Sequence, residues 1–399
     1  MDADIVDLST MKRRSFFTAT VSLPLLPMMA QSQSSAAPAG SISKLDKEMA
    51  SSKAGGKGSV VWQNPEDWGM EGRVWGDLPR KRYYDRLPAE AEGKVPGPVW
   101  NLSRHSTGMA VRFKTDATAV HVRYQLLNPG LALPHMPATG VSGTDLYARD
   151  ASGRWRWVNV SKPDKQNMEA MLIQDMPAGE REFMLYLPLY NGIEKLEIGV
   201  NGGAKFEGLA PREEKEAVLF YGTSITHGAS ASRPGMCHPA ILGRRLDRPV
   251  INLGFSGNGK MDESVGALLA KLKVAALVID CLPNMSPSQV QERCVPLVKQ
   301  LRAADDSVPI VLVEDRRNTN SWIQPVRFAH HTANHAALKE GFEKLKVEGI
   351  NGLFYVEGDA LLGDDADGAT DGSHPNDLGF FRQADVIEPV LRAALQQTV

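Results

Sequence analysis

A chain of 399 residues with 42% hydrophobic content is long enough to bury a large core, and at roughly 100 to 200 residues per domain it suggests two domains. The formal net charge of −2, with no basic stripe, argues against a nucleic-acid partner, and the three cysteines are too few and too scattered for a disulfide framework or a zinc site. After residue 30 no apolar run approaches the about 18 residues of a membrane span.

The chain begins with an address. "MKRRSFFTATVSLPLLPMMA", Met11 to Ala30, has a basic head with adjacent Arg13 and Arg14, a modestly apolar middle and a small residue at its end. It resembles a twin-arginine export signal over residues 1–30, which implies a periplasmic or secreted protein folded before it crosses the membrane. A Sec signal or a stray basic tail is the alternative, and the choice of Met1 or Met11 as start is open. Residues 31–58, rich in Ser, Ala, Gly and Lys, are expected as a disordered linker.

Residues 59–210 favour strands. In "GMAVRF" Met109, Val111 and Phe113 alternate with Ala110 and Arg112, and "AVHVRY", "FMLYL" and "KLEIGV" repeat the period of two between Gly and Pro clusters. A β-sandwich of the jelly-roll kind is expected. Trp155 and Trp157, alternating around Arg156, are read as half of its core rather than as a sugar-stacking platform.

After the short charged linker "APREEKEA" the period changes, and residues 217–399 read as a second domain. "AVLFYG", "PVINLG", "AALVID", "PIVLVED" and "GLFYV" are continuous apolar runs, as strands buried on both faces require. Between or after them, Met261–Leu272, Val290–Ala304, Asn334–Lys346 and the segment from Leu378 have helical spacing. The pattern predicts a three-layer α/β/α domain with a five-stranded parallel sheet, whose ligands collect at the carboxyl ends of the strands.

Just past the first of those ends stands "YGTSITHG", Tyr221 to Gly228. Ser224 is either a nucleophile or the cap of the next helix, and the G-x-S-x-G elbow is not met because Thr226 occupies the place of its second glycine. Past the last strand end, "TDGSHPNDLG" holds Asp371 and His374, spaced so that the carboxylate can hold one imidazole nitrogen and leave the other as a base. Alone, this Asp-x-x-His is equally a metal site or a capped turn.

Taken together, these blocks resemble the SGNH or GDSL family of serine esterases. "GTSIT" matches the first block with Ser224 as nucleophile, though Thr223 stands where many members have Asp. "INLGFSGNG" matches the second and points to Gly257 as a backbone oxyanion donor. "DGSHPND" matches the last with Asp371 and His374, while the third block reads "DCLPNMS" and keeps only Asn284 of Gly-x-Asn-Asp. "GTDLY", Gly143 to Tyr147, resembles the G-x-D-L-Y motif of a β-sandwich that precedes one bacterial branch of these esterases.

The resemblance implies a Ser224, His374, Asp371 acyl-enzyme mechanism, with the Ser224 and Gly257 amides and the Asn284 carboxamide holding the oxyanion and no cofactor or metal required. It also implies removal of acetyl or another small acyl group from a carbohydrate. The alternatives are a carbohydrate-binding protein on a weakened esterase scaffold and a short-chain lipase or acylhydrolase. Thr223, His227 and Asn258 are candidates to line the cleft, and His238, His330 and His331 are read as surface or core histidines. Asp280, Glu314 and Asp315 are expected to cap turns after buried strands rather than to orient active-site groups, and buried free thiols are expected, at Cys281 above all. Oligomeric state is not readable from the chain.

Overall fold

The structure, a computed structural model, describes residues 42–56, 58–76, 78–212 and 216–396. The expected export signal lies outside the described residues. Two units are distinguished, ending and beginning at Met49 and Ala50. In the first, one helical turn at Ile42–Leu45 (α1) is followed by a tight turn at Lys47–Met49, and neither buries a residue.

The second unit takes in the end of the expected linker. The Ser52 amide donates to the Lys162 carbonyl and the Met171 amide to that of Lys53, both at 3.0 Å. Main-chain pairing of this kind needs no apolar side chains, so composition could not announce it.

The β-sandwich has two antiparallel sheets. Strands Val60–Gln63 (β1), Ala110–Thr115 (β2), Val120–Leu126 (β3), Asp145–Arg149 (β4), Trp155–Val160 (β5), Asn167–Ile173 (β6), Arg181–Tyr186 (β7), Ile193–Asn201 (β8) and Phe206–Leu209 (β9) divide as β1-β8-β3-β6 and β5-β4-β7-β2-β9. The inward residues of both sheets, among them Val111, Phe113, Val122, Leu146, Leu185 and Ile198, make one core. Short helices at Gly97–Leu102 (α2) and Ala138–Val141 (α3) interrupt the strand order.

The α/β domain carries the parallel sheet Val218–Gly222 (β10), Val250–Gly254 (β11), Ala276–Asp280 (β12), Ile310–Val313 (β13) and Leu353–Val356 (β14), in the order β11-β10-β12-β13-β14. Its helices are Ser224–His227 (α4), His238–Leu246 (α5), Glu263–Leu269 (α6), Pro287–Ala304 (α7), Pro325–Val347 (α8) and Asp377–Gln396 (α9). Along β10, Leu219 and Tyr221 join the core under α6, α7 and α8, while Val218 and Phe220 join the one under α5 and α9. Both faces are covered, which is why these strands read as unbroken apolar runs.

The domains share these cores. Trp75, Leu87, Val99 and Trp100 pack into the first, and Ala110, Tyr147, Met184 and Tyr186 into the second. The buried guanidinium of Arg86 donates to the carbonyls of Asn252 (2.9 Å) and Gly254 (2.8 Å) at the end of β11. The sandwich therefore helps to hold the strand end from which the Gly257 loop departs.

Strand β4 is the other joint. Leu146 points into the sandwich core, whereas Asp145 and Tyr147 face the α/β domain. Buried Asp145 accepts from Gly235 N (2.8 Å), Arg233 Nη1 (2.9 Å) and Trp157 Nε1 (2.9 Å). A side chain at Gly235 would place its Cβ 2.5 Å from the Tyr147 ring.

Trp155 and Trp157 do not form half of the sandwich core. Trp157 is 49% exposed, and both line a groove of about 870 Å³ between edge strand β5 and helices α5 and α9. Alternation places residues on a common face but does not say what covers that face; here it is the neighbouring domain. Cys237, Cys281 and Cys294 are all free and buried.

Candidate active site

The turn after β10 removes the cap reading of its serine. The N-cap is Thr223, whose hydroxyl accepts from the Ile225 amide at 3.3 Å, so Ser224 is the first helical residue and its hydroxyl is left for other work. Gly222 permits the tight packing below: a Cβ there would lie 2.1 Å from Thr226 Oγ1. Tyr190, from the sandwich, donates to the Ser224 carbonyl and to Ser256 Oγ, each at 3.3 Å.

Ser224 Oγ lies 2.9 Å from His374 Nε2, and His374 Nδ1 lies 2.7 Å from Asp371 Oδ2. Residues 150 apart in sequence are thus linked in series with Asp371 at the far end. Asp-x-x-His is not helical here. Asp371 Oδ1 instead accepts from the Ser373 (3.0 Å) and His374 (2.8 Å) amides, which closes a turn and fixes the carboxylate against the imidazole. Burial works to raise the Asp371 carboxyl, but the His374 amide, the His374 ring and the Ser373 amide outweigh it and hold it at about 2.

Asn284 ends a tight turn at Leu282–Asn284 after β12. With its amide oriented to satisfy its neighbours, its oxygen accepts from Asn258 N (3.0 Å) and Gly259 N (3.2 Å). That orientation reserves the carboxamide N–H groups as donors. Gly257, exposed and at φ +70°, sits in the same loop, and a Cβ at Gly259 would lie 1.9 Å from the Gly222 carbonyl, so the Ser224 turn and the Asn258 loop touch main chain to main chain. Buried Asn334 on α8 donates to the Met285 carbonyl at 3.1 Å and anchors the Asn284 turn from behind.

Two residues expected at the cleft are elsewhere. Thr223 is fully buried as the cap, and His227 is fully buried at the domain junction, where its Nε2 meets the Leu189 carbonyl at 2.7 Å and its ring stacks on Tyr190 at 4.2 Å. Burial, with Arg86 and His105 nearby, lowers the His227 pKa well below the usual imidazole value. Asn258 is half-buried and donates through Nδ2 to the Ser256 carbonyl at 2.8 Å.

The acids after the strands brace rather than cap. Asp280 accepts from Thr226 Oγ1 (2.9 Å), and Glu314 from Tyr355 Oη (2.6 Å) and Gly358 N (2.7 Å). Buried Asp315 pairs with Arg316 and with His331 Nδ1 (2.6 Å). Arg316 in turn grips Ser373, and the Thr319 amide donates to Gly372 at 2.8 Å, so the loop after β13 carries the His374 loop. His331 and His238 are buried and His330 is exposed.

Sequence reading missed His135, which the sandwich loop before α3 places with its ring centroid 5.5 Å from that of His374. It also missed Arg316 and Asn334. None of the three belongs to a recognisable local motif.

The family description "GDSL-like Lipase/Acylhydrolase family" matches residues 215–392, and the description "N-terminus of Esterase_SGNH_hydro-type", the GxDLY module, matches residues 60–206. The chain is 33% identical to a GDSL-like lipase from Bacteroides ovatus ATCC 8483 whose crystal structure is solved, over 85% of this chain and 98% of that one, with a TM-score of 0.79. The chain belongs to the GDSL-like, or SGNH, esterase family, in the branch that carries an N-terminal GxDLY β-sandwich.

Its fold is shared with the salicylyl-acyltransferase SsfX3 of a tetracycline biosynthetic pathway (18% identity, TM-score 0.67, 84% of this chain and 97% of that one). It is shared too with a family two carbohydrate esterase from Cellvibrio japonicus (15% identity, TM-score 0.54, 86% and 99%). No curated protein matches the chain.

Proposed function

We propose that the protein is an exported serine esterase that removes acetyl or other small acyl groups from a carbohydrate. The observation that carries the reading is the hydrogen-bonded series Ser224 Oγ, His374 Nε2, His374 Nδ1, Asp371 Oδ2 at 2.9 and 2.7 Å. His374 Nε2 takes the Ser224 proton as Oγ attacks the ester carbonyl, and Asp371 holds the Nδ1 proton and the imidazolium that forms. The oxyanion accepts from the Ser224 and Gly257 amides and the Asn284 carboxamide. As the tetrahedral adduct collapses, His374 gives the proton to the leaving sugar oxygen, which departs as a hydroxyl, and water repeats the cycle on the acyl-enzyme.

An intact series argues for catalysis over a binding protein on a weakened scaffold. The carbohydrate substrate is supported by the shared fold with the Cellvibrio japonicus carbohydrate esterase. Hydrolysis of p-nitrophenyl acetate by the purified protein tests the esterase reading, since a binding protein leaves it untouched, and a screen of acetylated glycans tests the substrate class. Among the described residues no helix is long and apolar enough to cross a membrane. The export reading rests on Arg13 and Arg14: changing both to Lys is expected to strand the precursor in the cytoplasm, and continued secretion would refute a twin-arginine route.

A further inference from the structure

His135 enters none of the chemistry above, yet its ring lies beside that of the base. One donor atom each from His135, Asp371 and His374 lie within 4.8 Å of one another. The His135 and His374 rings are 5.5 Å apart between centroids and inclined at 37°. We propose that these three side chains form a site for a zinc-type divalent cation, and that an ion bound there reversibly shuts the esterase off.

The donor set selects the metal. Two imidazoles and one carboxylate suit Zn²⁺ and its neighbours, whereas Mg²⁺ and Ca²⁺ require a shell of oxygens. Zinc to nitrogen or oxygen distances of about 2.0 to 2.2 Å need ligand atoms roughly 3.3 to 3.6 Å apart, a spacing that a shift of about an ångström reaches from a set lying within 4.8 Å: His135 has to move in, and His374 Nδ1 and Asp371 Oδ2, now 2.7 Å apart, have to part slightly if both are ligands. The backbone around His135 is anchored for this. Met136 is buried in the core between the domains, and Leu133 and Met136 exchange main-chain hydrogen bonds at 3.1 and 3.0 Å. The His135 side chain is half-buried and has no hydrogen-bond partner among the described residues, so it can turn. Asp371 and His374 are both reachable from solvent, with side chains 40% and 25% exposed.

Inhibition follows from what the ion occupies. A cation on His374 either takes the Nδ1 lone pair, so that the proton Nδ1 shared with Asp371 sits on Nε2 instead, or takes the Nε2 lone pair that accepts from Ser224. Either way Ser224 loses its base. No bond to substrate is involved, so removing the ion restores the site.

This rests on the esterase reading only for its effect on turnover, and the test separates the two. The full chain would be titrated with ZnCl₂ while it hydrolyses p-nitrophenyl acetate, with MgCl₂ as control and EDTA as reversal, each variant scaled to its own metal-free rate. Zinc is expected to inhibit in the micromolar range and magnesium not at all, with EDTA restoring the rate. His135→Ala and the near-isosteric His135→Gln should raise the half-inhibitory zinc concentration by roughly tenfold or more. In parallel, calorimetric titration of Ser224→Ala with ZnCl₂ should show one site that is lost when His135→Gln is added. Equal inhibition of wild type and both His135 variants, or the absence of a His135-dependent heat, would overturn the site. A protein that binds zinc through His135 but hydrolyses no ester would overturn the esterase reading alone.

Discussion

Arg316 donates to Ser373 twice, through Nε to its carbonyl at 3.0 Å and through Nη2 to its hydroxyl at 2.6 Å, and so holds the residue next to His374 from a different strand end. The same guanidinium answers the buried charge of Asp315. Arg316→Met should therefore lower stability by about 3 to 5 kcal/mol, the cost of breaking a buried ion pair, and kcat by roughly 10- to 100-fold through misplacement of His374. Arg316→Lys restores the charge without the two-pronged grip, so stability should recover further than kcat. Denaturant melts alongside kcat and KM for both variants would show this, and a folded Arg316→Met with wild-type kcat would contradict it.

Ser224→Ala is expected to abolish hydrolysis of p-nitrophenyl acetate while leaving the thermal midpoint close to wild type, because Thr223 rather than Ser224 caps α4. His374→Ala should be comparably severe. Asp371→Ala should retain more activity, since it orients the imidazole and does not carry the proton. Substantial turnover by Ser224→Ala would move the nucleophile elsewhere.

Asn284→Ala should lower kcat by roughly 100- to 1,000-fold with little change in KM, because charge reaches the carbonyl oxygen only during attack. The Asn258 and Gly259 amides that orient this carboxamide supply the geometric reason. A kcat unchanged in Asn284→Ala would mean that main-chain donors hold the oxyanion alone.

Burial raises the Asp280 carboxyl to about 7 from the ordinary 3.8, against the opposing Thr226 hydroxyl and Arg316 charge and with Asp315 adding to the rise. His238, 3.8 Å away, supplies no compensating cation, since its own burial lowers its pKa to about 3. The folded state thus keeps a proton that the unfolded chain has released, and this contribution to stability falls as pH rises from 3.8 through about 7. Asp280→Asn mimics the protonated form. Its thermal midpoint relative to wild type should climb across that window, and parallel pH profiles for the two proteins would refute the raised pKa.

The parallel strands were legible because burial on both faces leaves an unbroken apolar run, as in Val218–Gly222 and Ala276–Asp280. That Ser224, Asp371 and His374 would be brought together was legible because each sits in a short block at a strand end, and the same holds for the place of Asn284 after β12. Trp155 and Trp157 were misread because period two reports a shared face and is silent on what lies opposite it. His227, only three residues from Ser224, turns inward on a single helical turn that sequence proximity cannot resolve. Arg316, Asn334 and His135 meet Ser373, Met285 and His374 across 57, 49 and 239 residues, and no local pattern carries such partnerships.

Strand β4 was described as a joint, but its alternation also bears on separability. Leu146 completes one core while Asp145 and Tyr147 complete the other, and the Asp145 carboxylate is the partner of both the Gly235 amide and Arg233. An α/β half released from its sandwich would leave that amide and that cation without their acceptor and would open the apolar surface around Tyr147. A foreign sandwich could be grafted on only if it brought the same three residues in the same register. The five letters of "GTDLY" therefore make the α/β half depend on a sandwich that supplies this acceptor and this ring.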